Sequence, residues 1–145
     1  MRHDGIERGA LWLLTLFALP VGVQAAVAPR SFFDDFPFGR SWISVDGAMY
    51  DEHLVRDVGA LFLAMAIVTG WTAWRRRPSG AIAVAWIVQG LLHVVYHGAH
   101  LDGLPTIDRV LLIGSLAGVP VLGLIALWAG RGGSQPPSPP TSGPT

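Results

Sequence analysis

His93, His97 and His100 fall within ten residues, LLHVVYHGAH, of an otherwise apolar stretch. Imidazole is a common ligand for Zn, Cu, Fe and Ni, and it also moves protons near neutral pH. The three rings stand at i, i+4 and i+7, so a helix places them on one face. His93 and His97 are one turn apart, a spacing at which two rings can grip one ion. A second group lies in YDEHLVRD, where His53 and Asp57 are i and i+4, as are Glu52 and Arg56. Two readings stand open. One is a histidine-rich, carboxylate-supported site of His93, His97, His100, His53, Asp57 and Glu52, which holds Zn, Cu or Fe or relays protons. The other is a polar cluster without a ligand. In that case the rings are wet or satisfied by packing, and Glu52 with Arg56 is an ordinary i,i+4 pair. Gly103 and Pro105 follow closely and end a helix, which puts His100 at its edge.

These residues need elements to position them, and composition indicates which. The chain has 145 residues, 51% of them hydrophobic and 14% charged. A soluble domain carries roughly 25% charge. The apolar residues come in four blocks of about the 20 residues a bilayer core requires. The expected spans are 9–28, 58–74, 78–97 and 110–130. Backbone polar groups in lipid must be paired within the segment, so each block reads as a helix. The expected fold class is all-α, an integral membrane four-helix bundle. Residues 1–8 form an N-terminal segment, 29–57 an outer loop and 131–145 a disordered tail rich in Pro, Gly and Ser. The stretch MRHDGIERGALWLLTLFALPVGVQAAVA also has signal-peptide features, with a small-residue site at Ala25. Its long uncharged run, and the need for a fourth helix to fill a bundle, favour a retained span.

All ten basic residues are Arg. Arg2, Arg8, Arg75, Arg76, Arg77 and Arg131 fall on one side of such a bundle, and Arg30, Arg40, Arg56 and Arg109 on the other. The compact WRRRP turn is the strongest sign that its side is the cytoplasm. The expected location is a bacterial plasma membrane, with both termini cytoplasmic. Trp12, Trp71, Trp74 and Trp128 fall near the same side, where amphipathic rings anchor at the interface. The helix pair around WRRRP is expected to be antiparallel neighbours, which would bring His53, Glu52 and Asp57 to His97 and His100.

The loop mixes Phe32, Phe33, Phe36, Phe38 and Trp42 with acids. It is expected to lie on the interface or fold over the bundle mouth. Gly114 and Gly118 form a small-xxx-small pair whose expected role is close packing within the chain, with dimerisation as the alternative. Pro20 and Pro120 are expected to kink their helices. Thr69 and Gln89 call for no special role. There is no cysteine, so disulfides and thiolate sites are excluded. Net charge is zero and no phosphate loop or nucleophile motif is present, so nothing favours nucleic-acid binding or hydrolase chemistry.

The stretches APRSFFDDFP, YDEHLVRDVGAL and HVVYHGAHLDG resemble a group of small bacterial four-helix membrane proteins that are DoxX-like. The likeness runs from about Leu11 to Leu127. It implies a four-helix bundle in the plasma membrane. Some DoxX-type proteins are subunits of membrane oxidoreductases that work with quinones, but no catalytic residue carries over. The leading expectation is a non-catalytic or accessory subunit, with the bilayer and a membrane protein or a second copy as partners. A metal- or quinone-linked redox component is the first alternative, and a small transporter or proton path the second.

Overall fold

Five helices account for most of the computed structural model, which describes residues 2–44 and 47–132. They are α1 (Arg2–Val27), α2 (Pro29–Asp35), α3 (Glu52–Arg75), α4 (Gly80–Ala99) and α5 (Thr106–Gly132), with no strand among the described residues. α1, α3, α4 and α5 are each long and apolar enough to cross a membrane. The architecture is thus an all-α four-helix bundle of membrane-spanning length. The expected disordered tail lies, from residue 133 onward, outside the described residues.

Local chemistry sets the helix ends. α3 begins six residues before the expected Val58, because the Asp51 carboxylate accepts the Leu54 amide at 3.1 Å and caps the helix. YDEHLVRD is therefore largely helical. α3 ends at the arginine run. Arg76 adopts a left-handed conformation (φ 51°), and the Arg76 and Arg77 amides both donate to the Thr72 carbonyl. Pro78 follows and cannot continue the ladder. Helical structure runs through both Pro20 and Pro120.

Apolar helices of this length associate through van der Waals packing and interhelical hydrogen bonds, and small residues let their backbones approach closely. α1 lies at the centre of the bundle and packs along α3 on one side and α5 on the other. A Cβ added at Gly59 would stand 2.5 Å from the Ala26 amide nitrogen, and one at Gly22 would stand 2.8 Å from that of Leu63. α4 packs on α5 in the same way. A Cβ at Gly90 would meet Pro120 Cδ at 2.5 Å, and one at Gly123 would meet the Ala83 carbonyl at 3.1 Å. Gly114 and Gly118, by contrast, have nothing among the described residues within 4 Å of an added Cβ. The pair expected to provide close packing within the chain does not do so. The buried face of α5 is formed by Leu112, Leu116, Val119, Pro120, Gly123 and Ala126.

The expected pairing of α3 with α4 is also revised. The short turn joins them, but few of their backbones approach closely, and α4 has α5 as its main neighbour. Trp86 bridges the two. It is fully buried, and its Nε1 donates to Thr69 Oγ1 at 2.8 Å, while Thr69 donates to the Met65 carbonyl at 2.6 Å. Its ring meets Phe62 edge-on at 6.2 Å. Thr69 therefore has a defined task that its position in the sequence did not suggest.

Candidate functional site

Two ends of the bundle can be distinguished. Asp4, Arg77 and Arg131 line one cleft at the arginine end. The opposite, loop end holds α2, the following loop, the start of α3, the end of α4 and the start of α5. The six candidate ligands all lie toward the loop end, but they do not gather there. Glu52 accepts from Arg56 at 2.8 Å, and Arg56 also donates to the Ala26 carbonyl at the end of α1. His53 Nε2 stands 3.3 Å from Asp57 Oδ2, with both side chains largely exposed. These are local pairs on α3. Among the described residues, no three His, Asp or Glu side chains form a group able to hold a metal ion.

The α4 histidines form a group of their own. His93 and His97 meet edge-on at 4.7 Å between ring centroids. Tyr96 stacks on His100 at 4.3 Å and meets His97 edge-on at 5.4 Å. His100 Nδ1 lies 2.8 Å from the Tyr96 carbonyl. A carbonyl can only accept, so Nδ1 carries the proton and Nε2 of the neutral ring keeps its lone pair. His93 and His97 make no hydrogen bond to any described residue. Each neutral ring brings one donor and one acceptor, and no described residue pairs with either.

Helix periodicity shows where these rings point. His93 and His97 are seven and eleven residues beyond Trp86, so each returns to within about 20° of its direction. Trp86 faces Thr69 and Phe62 of α3. The histidines therefore line the seam between α4 and α3, above the Trp86 bridge, and both are half-buried. On the α3 side, Val58 shares the direction of Phe62 and Thr69 and is 37% exposed. Only 17% of the α4 span is buried, against 44% for α1, so α4 is the helix with most of its surface uncovered.

The loop closes the other half of the loop end. α2 packs on α1 and α3 through Phe32 and Phe33. Trp42 crosses to the α4–α5 side and is buried among Leu104, Leu112 and Leu116. Asp108, in the first turn of α5, fastens it there. One carboxylate oxygen accepts from Arg40 and, at 3.0 Å, from Trp42 Nε1. The loop thus folds over the bundle mouth. Asp108 was readable in sequence only as one more loop acid, because its partners lie 66 and 68 residues away.

No curated protein and no solved structure matches the chain. A family model, described as a domain of unknown function (DUF4345), matches residues 6–106. That segment runs from the first turns of α1 to the first residue of α5 and includes the loop and the histidine seam. Covering more than half of the chain, the match shows that this protein belongs to the DUF4345 family.

Proposed function

We propose that this chain is a multi-pass protein of a bacterial plasma membrane, with both termini cytoplasmic, that serves as a non-catalytic accessory subunit. Its α3–α4 seam receives a helix of a partner membrane protein. The observation that carries this reading is the unpaired state of His93 and His97 on the least covered span. A polar group held in an apolar medium without a hydrogen bond costs about 2–7 kcal/mol. Ionisable residues in spans accordingly face protein, water or one another. A partner helix that offers a carbonyl or hydroxyl to these rings removes that cost. The likeness to DoxX-type proteins supports the same reading, since some of those are subunits of larger complexes.

The test is site-specific photo-crosslinking in native membranes. A crosslinking residue at Val58 or Tyr96, beside the seam, should yield one discrete adduct with a different membrane protein. The same residue at Leu124, on the exposed face of α5, should yield none. The adduct should disappear when His93→Leu and His97→Leu are combined. An adduct from Leu124 as well, or one indifferent to the histidines, would refute the reading. A product of two copies of this chain would replace it with self-assembly.

One observation favours a second reading. The 4.7 Å approach of His93 and His97 suits two ligands of one Zn, Cu or Fe ion whose remaining ligands come from the partner. The complex would then carry a metal- or quinone-linked redox site. Metal analysis of the purified complex should show metal that a His93→Ala/His97→Ala variant loses. Equal trace metal in both would end this version.

A further inference from the structure

The arginine end holds a different kind of site, unrelated to the histidine seam. The start of α1, the α3–α4 turn and the end of α5 enclose a half-open cleft of about 430 Å³. Its polar lining is Asp4, Glu7, Arg76, Arg77, Ser79 and Arg131. A smaller cleft of about 190 Å³ shares Glu7, Arg76 and Arg77 and extends it toward Thr72.

Three features of this cleft are unexplained by the fold. Ser79 is 3% exposed, yet its hydroxyl has no hydrogen-bond partner among the described residues. It sits at the N-cap of α4 but makes no cap bond, so the first-turn amides of α4 receive nothing from it. Gly130 faces this hydroxyl. A Cβ there would stand 3.0 Å from Ser79 Oγ and 3.1 Å from Glu7 Oε1, closer than ordinary contact, so the absence of a side chain lets the end of α5 approach both groups. The charges are the third feature. Arg75 is engaged with Trp71 and Trp74, and Arg8 with the Ala73 carbonyl. Arg76, Arg77 and Arg131 have no side-chain ion pair or hydrogen bond among the described residues.

The depth of the cleft is fixed independently. Trp12, Trp71, Trp74 and Trp128 are all at least 40% exposed around this end. Exposed tryptophans gather at headgroup level, where one edge of the ring meets hydrocarbon and the other water. Basic pockets between spans at that depth suit lipid headgroups.

We propose that this cleft binds the phosphodiester headgroup of an amine-bearing membrane lipid. The phosphate oxygens lie against Arg76, Arg77 and Arg131 and accept the Ser79 hydroxyl. The ammonium lies on the side of the Asp4 and Glu7 carboxylates. The cleft carries both signs of charge, with Asp4 and Glu7 beside the three guanidiniums, which suits a zwitterionic headgroup better than a bare anion. The unpartnered hydroxyl gains an acceptor.

Native mass spectrometry of the full chain in detergent, titrated with phosphatidylethanolamine, phosphatidylglycerol and inorganic phosphate, tests this. Phosphatidylethanolamine should bind most tightly, and millimolar inorganic phosphate should not displace it. Arg76→Ala/Arg77→Ala should weaken lipid binding by about tenfold or more, the scale of losing charge-assisted hydrogen bonds. Glu7→Gln combined with Asp4→Asn should erase the preference over phosphatidylglycerol but keep the phosphate-dependent binding. Gly130→Val should block the cleft. The arginine variant changes exposed side chains only, so it remains a fair test if the Gly130 variant misfolds. Displacement by inorganic phosphate would make this a free-phosphate site and overturn the lipid assignment. Equal lipid binding by wild type and the arginine variant would overturn the site itself.

Discussion

Thr69 shows what one hydroxyl does inside an apolar bundle. It takes the Trp86 indole hydrogen and passes its own to the Met65 carbonyl, so both polar groups are satisfied where no water reaches. Thr69→Val keeps the shape and removes the acceptor. The buried indole N–H then loses its partner, at a cost of about 1–3 kcal/mol. The expected outcome is a lower midpoint in thermal or denaturant unfolding in detergent, while Thr69→Ser stays close to wild type. A Thr69→Val variant as stable as wild type would show that Trp86 does not depend on this bond. Sequence alone could not flag Thr69, because its partner lies 17 residues away on another helix. The histidines were more legible. Their spacing places them on one face, and the structure keeps His93 and His97 in ring contact. Their relation to His53 and Asp57 was not legible, because it depends on which helices pack. Asp57 is met instead by its own helical neighbour His53, and Glu52 by Arg56.

At the scale of elements, the glycines divide by what stands opposite them. Four of them, Gly22, Gly59, Gly90 and Gly123, sit where a Cβ would press on a neighbouring helix. Gly114 and Gly118 face open space. The GxxxG spacing of the latter pair places both on one side of α5, but it does not say which side meets a neighbour. That side is set by the apolar run from Leu112 to Ala126, which points elsewhere. The consequence is a contrast between two identical substitutions. Gly114→Ala adds a methyl group to an open helix surface and should be neutral or stabilising by about 0.5–1 kcal/mol. Gly59→Ala drives a methyl group into the α1 backbone. Separating two helices to admit it should cost about 1–3 kcal/mol. Unfolding midpoints of the two variants in one detergent check this. Equal midpoints would mean that α1 and α3 do not cross at Gly59. The four helices and the WRRRP turn were readable from block length and charge. The neighbour relations were not, since a short turn makes α3 and α4 consecutive without making them the main packing partners.

For the whole molecule, the two ends differ in kind, and that difference makes orientation testable. The arginine end carries Arg75, Arg76, Arg77 and Arg131 with exposed tryptophans, while the loop end carries most of the acids, the Asp108 fastening and the histidine seam. Arginine-rich short turns stay on the cytoplasmic side during insertion. If that rule governs here, a partner meets the seam in the outer half of the bilayer, and a lipid headgroup in the Ser79 cleft comes from the inner leaflet. The chain has no cysteine, so single cysteines report topology without background. Ala48→Cys, on the exposed loop, should react with a membrane-impermeant maleimide on intact cells. Pro78→Cys, exposed in the arginine turn, should react only after permeabilisation. The opposite pattern would invert the molecule, moving the histidine seam to the inner half of the bilayer and the arginine cleft to the outer leaflet. The contacts themselves would be unchanged, because the packing of α1, α3, α4 and α5 does not depend on which side faces the cell interior.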